Sequence, residues 1–334
     1  MKILITGGTG FVGGYLVKEL IKNNHSVKVL SRNPDKYKSN NSLPIEYFAW
    51  NPDSELPPKE AFIDHQGKKN VDIIINLLGE NISNKRWSTS QKKKIFDSRV
   101  LATKNLINAV EEYLSDEELD LFISTSAIGL YEANTPDILH EDGPLGKGFL
   151  PNVCQEWESA TNELTKSKRM LITRVGVVFG NNGGALQKLL PIFKLGGGGP
   201  IGNGKQMMSW IHVKDLVNIY IKAIDNKMYS GIVNAVSPNP VSNSTFTKAF
   251  GRAVHRPAFF PVPPFMLRLI FGEMASIILN SQTVIPKALN DLGHEFLFPD
   301  IQDAMNEICN NVNLLGLPNS YNSIETAQYF EKKK

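Results

Sequence analysis

Two rhythms of apolar positions alternate along the first half of the chain. Ile3-Leu4-Ile5 is a short apolar run closed by glycine, the pattern of a buried parallel strand. Phe11 onward to residue 22 then places Val12, Leu16, Leu20 and Ile21 on one helical face. The alternation continues with strands expected over residues 27–30, 45–49, 72–78, 121–124 and 170–178. Helices are expected over 90–114 and 152–166, and Pro52, Pro57 and Pro58 mark a loop. This order predicts an α/β fold with a doubly wound parallel sheet. Beyond residue 180 the rhythm loosens. Helices are expected at 183–194, 215–225, 242–254, 265–280 and 300–311, with a strand at 232–234. The expected organisation is a nucleotide-binding sheet domain over 1–180, to which later segments can return. A smaller α/β lobe over 181–254, a helical segment over 255–310 and a tail over 311–334 follow. No internal repeat is visible.

The 334 residues carry 36 Lys plus Arg against 33 Asp plus Glu, a net charge of +3. That balance argues against a protein that coats nucleic acid or a membrane surface, which needs a dense basic face. Cys154 and Cys309 stand far apart and the six histidines are dispersed, so neither a disulfide scaffold nor a metal site is indicated. The most apolar late stretch, 258–271, is cut by Pro261, Pro263, Pro264 and Arg268, which argues against a membrane span. The start has no room for a secretory leader before the first glycines. The expected compartment is the cytoplasm, or an organelle matrix if a leader was removed upstream.

The chemistry begins at Gly7-Gly8-Thr9-Gly10-Phe11-Val12-Gly13. Gly7, Gly10 and Gly13 form G-x-x-G-x-x-G between a strand and a helix. Glycine permits positive φ and leaves no Cβ between backbone and ligand. The N–H groups of Thr9, Gly10, Phe11 and Val12 at the helix start, aided by the helix dipole, suit a pyrophosphate. Gly13 lets the helix lie close to the sheet. This context points to a dinucleotide.

A site for NAD(H) ordinarily ends its second strand in Asp or Glu, which accepts from the ribose 2′-hydroxyl. Here that strand ends in Leu30-Ser31-Arg32-Asn33. Arg32 offers a donor fork suited to a 2′-phosphate and Ser31 a hydroxyl. The expectation is NADP(H) rather than NAD(H). The plainer alternative is a solvated surface arginine.

Several segments together resemble a known family. They are Thr6 to Gly13, Asn76-Leu77-Leu78-Gly79-Glu80-Asn81-Ile82, Arg86-Trp87, Ser98-Arg99-Val100, Glu156-Trp157-Glu158, Arg174-Val175-Gly176-Val177-Val178, Gly197 to Gly202, and Trp210 to Leu216. The chain is similar to atypical extended short-chain dehydrogenases/reductases, the "epimerase family protein" subgroup of the NAD-dependent epimerase/dehydratase group. That subgroup has a short C-terminal domain of unknown function. The resemblance covers nearly the whole chain. It implies a Rossmann-type NADP-binding domain but names no substrate.

The wider group moves its proton through a Tyr whose pKa is lowered by a Lys one helical turn later. By spacing, those positions fall on Cys154 and Glu158, so the usual Tyr-x-x-x-Lys pair is replaced. Cys154 is a candidate proton carrier or simply a small buried residue. Ser126 stands where the group's catalytic Ser would be, or satisfies backbone at a strand end. Tyr131 could supply a replacement phenol. The resemblance places Leu77, Leu78 and Gly79 along the cofactor, with Glu80 in the same crevice or capping a helix. Arg99 matches a family arginine near the cofactor, where it pairs with a phosphate or with an acidic neighbour. Gly196 to Gly204 could form a mobile loop, edged by Lys194 and Lys205, over an anionic substrate, or a structural loop. His212 is expected to bond backbone.

These observations imply an NADP(H)-dependent oxidoreductase or epimerase acting on an unknown small molecule, with homodimerisation possible. The alternatives are a non-catalytic NADP(H)-binding or sensing protein, and a scaffold or cell-division factor.

Overall fold

A computed structural model describes residues 1–38, 43–114, 118–181 and 183–310. The expected tail over 311–334 lies outside them. In chain order the elements are β1 (Lys2–Thr6), α1 (Phe11–Lys22), β2 (Ser26–Ser31), α2 (Asp35–Lys38), β3 (Ile45–Ala49) and β4 (Ile73–Asn76). Next come α3 (Thr89–Asp97), α4 (Val100–Tyr113), β5 (Leu121–Ala127), β6 (Ile138–Leu139), α5 (Phe149–Asn162), β7 (Met170–Val175) and β8 (Val177–Phe179). Then follow α6 (Gly184–Lys194), β9 (Met207–Met208), β10 (Trp210–His212), α7 (Val213–Asp225), β11 (Gly231–Ala235), β12 (Val241–Ser242) and α8 (Asn243–Ala253). The described chain closes with α9 (Pro264–Phe271), α10 (Ser276–Leu279), β13 (Thr283–Val284), α11 (Lys287–Asp291) and α12 (Ile301–Asn310).

Seven strands form one parallel sheet in the order β11-β7-β5-β4-β1-β2-β3. Alternate residues of each strand feed two cores. Ile3, Ile5, Val27 and Val29 meet Leu16 and Leu20 of α1 and Ile219 and Tyr220 of α7. Leu4, Leu30, Ile74 and Phe122 meet Leu106 and Val110 of α4. The strand order reverses between β1 and β4, which opens a crevice at their carboxyl ends, the usual ligand position in such sheets. A third core, around Phe179, Trp210, Phe246 and Met305, joins α6, α8 and α12. No described helix is long and apolar enough to cross a membrane.

Four of the expected elements that differ show why. The helix expected over 90–114 is two, α3 and α4, broken at Ser98-Arg99. The strand expected over 170–178 breaks at Gly176. A Cβ there would lie 2.7 Å from the Ser209 carbonyl oxygen, and beyond this glycine β8 pairs with β10 outside the main sheet. The helix expected over 265–280 is interrupted at Gly272, whose φ is +60°. The helix expected over 152–166 starts earlier, at Phe149, and ends at Asn162.

Candidate functional site

The glycine turn has the geometry its sequence implies. Gly7 takes φ +67°, and a Cβ on it would stand 2.7 Å from the Leu77 carbonyl oxygen. A Cβ on Gly13 would come within 2.2 Å of the Gly7 carbonyl oxygen. Gly10 closes the turn through its N–H to the Gly7 carbonyl, 2.9 Å, and caps α1 without a side chain. The first turn of α1 holds no acidic residue. The helix start therefore keeps a bare, positively polarised face. Phe11 packs under Gly180, Gly183 and Gly184, each close enough that a Cβ would touch its ring. These features fit a dinucleotide pyrophosphate.

At the end of β2, Ser31 is buried and its hydroxyl accepts from the Asn33 N–H, 3.2 Å. Arg32 is exposed beside it. At the end of β4, the Thr6 hydroxyl donates to Asn76 Oδ1, 2.7 Å, and accepts from the Leu77 N–H, 3.1 Å. Asn76 Nδ2 donates onward to the Thr103 hydroxyl, 2.9 Å. This chain fixes where Leu77 and Leu78 leave the sheet. The Glu80 N–H donates to Ser98 Oγ, 2.9 Å, so Glu80 does not cap a helix through this contact. Arg99 lies across Gly79, its guanidinium 2.9 Å from where a Cβ would be.

Ser126 on β5, Tyr131 just beyond it, and Cys154 and Glu158 on α5 belong to one buried polar cluster. Sequence reasoning missed its centre, Arg174 on β7. Arg174 Nε and Nη2 donate to the two oxygens of Glu158 at 2.9 and 2.8 Å. Arg174 Nη1 donates to the Tyr131 hydroxyl, 2.8 Å, and to the Glu141 carbonyl oxygen, 2.6 Å. Ser126 Oγ donates to Glu158 Oε1, 2.6 Å. The Tyr131 hydroxyl donates to Asn234 Oδ1, 2.7 Å. A charged residue inside a buried strand was the available signal for Arg174.

The electrostatics follow from that wiring. Burial works against the Arg174 charge, but Glu158 and Tyr131 outweigh it and raise its pKa. Burial raises the Tyr131 pKa despite the Arg174 donor. Cys154 is 4% exposed, and burial pushes its thiol up to about 12, with Arg99 opposing and Glu158 adding. At neutral pH it is therefore a thiol.

The second glycine cluster packs against the C-terminal segment. A Cβ on Gly199 would lie 1.6 Å from the Phe260 carbonyl oxygen. Backbone bonds join Gly202 to Val262 and Val262 to Pro200. His212 Nδ1 accepts from the Lys214 N–H at the start of α7, and its Nε2 meets Glu307 at 3.0 Å.

The family model described as "NAD dependent epimerase/dehydratase family" matches residues 3–235, and a "Domain of unknown function (DUF1731)" matches 262–308. An Arabidopsis thaliana protein named "Epimerase family protein SDR39U1 homolog, chloroplastic" is 35% identical over 92% of this chain and 86% of its own length. The Mus musculus epimerase family protein SDR39U1 is 34% identical over 92% of this chain and 99% of its own length. The human epimerase family protein SDR39U1, solved with NADPH, superposes with a TM-score of 0.81 at 32% identity. That match covers 93% of this chain and 100% of that one.

Proposed function

The chain belongs to the NAD dependent epimerase/dehydratase family, and from that premise we propose an NADP(H)-dependent oxidoreductase or epimerase of a small molecule. In it no side chain at the family's Tyr and Lys positions moves the proton. The observation that carries the reading is the uncapped glycine cradle, walled by Leu77 and leading along Gly79 to Arg99. The choice of NADP(H) rests on Ser31 and exposed Arg32, with no carboxylate between β2 and Asp35. It is supported by the human relative solved with NADPH. A bound nicotinamide dinucleotide supplies a hydride donor or acceptor.

The residues of the chain then divide the work. Thr9, Gly10, Phe11 and Val12 offer backbone N–H groups to the pyrophosphate. Ser31 and Arg32 hold the 2′-phosphate. Leu77, Leu78 and Gly79 give the cofactor a flat wall. Cys154 stays a buried, un-ionised thiol. Any proton on the substrate oxygen comes from solvent or from the substrate itself.

A second reading, a protein that binds or senses NADP(H) without turnover, is favoured by one observation. Ser126, Tyr131 and Glu158 direct their hydrogen bonds to one another, to Arg174 and to Asn234. Titration with NADPH and NADH, followed by turnover with NADPH deuterated at C4, separates the two. We expect NADPH to bind at least about tenfold tighter, since one charged contact contributes roughly 1.5–3 kcal/mol. Arg32→Ala should erase that preference, and the label should reach a carbonyl or sugar-nucleotide acceptor. Equal affinities unchanged by Arg32→Ala refute the cofactor choice. Tight NADPH binding with no label transferred to any acceptor leaves the second reading. No nucleotide binding at all would leave the scaffold alternative.

A further inference from the structure

Helix α9 buries none of its residues. Phe265, Met266, Leu269 and Ile270 are all exposed, Leu269 by 75%, and their spacing puts them on one side of the helix. The chain enters α9 from Phe259 and Phe260, whose exposed rings lie 4.6 Å apart between centroids. The backbone of Phe260 lies against Gly199, and the Val262 N–H donates to the Pro200 carbonyl, so this stretch runs beside the loop that follows α6. That loop starts at Leu195, 88% exposed. Phe259, Phe260 and Phe265, each about three-fifths bare, together show roughly 300 Å² or more of apolar surface. With Leu195 and Leu269 the face exceeds what monomers usually leave open.

Charge separates the candidate occupants of this face. Residues 183–214 and 226–272 contain no Asp or Glu. They contain nine Lys and Arg, among them Lys194, Arg256 and Arg268. Arg268 is exposed on α9 itself, and Arg256 Nε donates to the Lys194 carbonyl oxygen at the end of α6, 3.0 Å. The next acid along the chain, Glu273, is paired with Lys92 at 2.6 Å. A second copy would bring the same cations face to face, and like charges across an interface are costly. An anionic bilayer suits both properties: aromatic and aliphatic side chains enter the headgroup boundary while Lys and Arg stay at the phosphates. The near-neutral balance of the whole chain conceals this, because the compensating acids lie on other segments. The prolines and Arg268 that stop residues 258–271 from spanning a membrane do not stop them from lying on one.

We propose that α9, with Phe259, Phe260 and Leu195, is a docking face for an anionic lipid surface. The proposal goes beyond the cofactor reading and does not depend on it.

The test sediments the full chain with extruded vesicles of phosphatidylcholine, alone or with about one third phosphatidylserine. The mixed vesicles should bind at least about tenfold better than the neutral ones, since each cation near an anionic surface contributes roughly fivefold. Phe265→Ser combined with Leu269→Ser should weaken that binding at least about tenfold, by removing apolar anchors. Arg268→Gln should weaken it about fivefold on mixed vesicles and leave neutral vesicles unchanged. All variants should keep the wild-type urea midpoint, since they alter no buried group. The proposal is overturned by no binding to mixed vesicles, by equal binding to both kinds, or by binding that the double serine variant leaves untouched. It is also overturned by a wild-type dimer in light scattering that the double serine variant converts to monomer, because the face then belongs to a second copy.

Discussion

Replacing Glu158 by Gln tests whether the buried cluster around Arg174 is a structural brace. The side chains of Glu158 and Arg174 are 10% and 7% exposed. The carboxylate accepts from Arg174 Nε, Arg174 Nη2 and Ser126 Oγ at 2.9, 2.8 and 2.6 Å. Gln keeps the shape but presents an amide N–H₂ to a guanidinium nitrogen, donor against donor, beside an uncompensated charge. Removing one partner of a buried pair costs about 3–5 kcal/mol. At roughly 2 °C per kcal/mol for a chain this long, Tm should fall by about 6–10 °C. The assay is urea unfolding of the wild type, Glu158→Gln, Arg174→Met and the double variant, followed by circular dichroism. In the double variant no charge is left unpaired, so the two losses should not add, and the coupling should exceed about 2 kcal/mol. Some loss remains, because Tyr131 and the Glu141 carbonyl still lose their donor. Below the melting range, Glu158→Gln should hold NADPH within threefold of the wild type. Coupling below about 0.5 kcal/mol, the level of independent sites, would refute the brace. So would full stability combined with lost NADPH binding.

Three further outcomes follow from the geometry. Gly13→Ala drives a Cβ to 2.2 Å from the Gly7 carbonyl oxygen; overpacking of this kind costs about 1–3 kcal/mol, and calorimetry should show NADPH binding lost even where the variant still folds. Cys154 is buried with its thiol at about 12, so iodoacetamide at pH 8 should label it only on unfolding, and Cys154→Ala should leave any turnover intact; rapid native labelling would contradict this. The hydrogen bond from His212, with that from Lys214, holds the Glu307 carboxyl down to about 2 against its burial. A depressed acid contributes stability above its unfolded value, 4.5, and loses it as pH falls toward 2. Glu307→Gln should therefore cost about 1–3 kcal/mol at pH 7, and urea melts should show the difference from wild type shrinking between pH 4.5 and 2.

The first βαβ unit was legible because its signals are local. Three glycines at fixed spacing, a strand before and an amphipathic face after, set the turn without reference to the rest of the chain. The breaks were not legible, because each answers to a distant contact. Residues 90–114 read as one helix because nothing in Phe96-Asp97-Ser98-Arg99-Val100 forbids continuation; the break is set by Glu80 and Gly79. Gly176 reads as an ordinary strand residue, because Ser209, which lies against it, is distant in sequence. Ser126, Cys154 and Glu158 could be placed by resemblance. Their partners could not, because Arg174 and Asn234 come from later strands, β7 beside β5 and β11 beside β7, that only the sheet order brings together.

That sheet order also bears on the charge that position 158 can carry. The wider group brings its cation in on the helix, next to a phenol on the same face. Here the cation enters from β7, the strand paired with β5, and its Nη1 reaches a phenol on the loop after β5, 2.8 Å away. With Arg174 so placed, a lysine at 158 would set two cations within hydrogen-bond distance in a site almost closed to water, where like charges repel most strongly. A carboxylate is the charge that this position accepts. The same carboxylate takes the Ser126 proton donor out of the crevice, and burial leaves the Tyr131 phenol harder to ionise than in water. Cation, phenol and serine all persist, yet they are turned inward to hold β5, β7, β11 and α5 together. Arg99, across Gly79, donates to the Ile95 carbonyl and, as a guanidinium, does not release a proton near neutral pH either. In the proposed function the proton is therefore supplied from outside the side chains that the wider group uses.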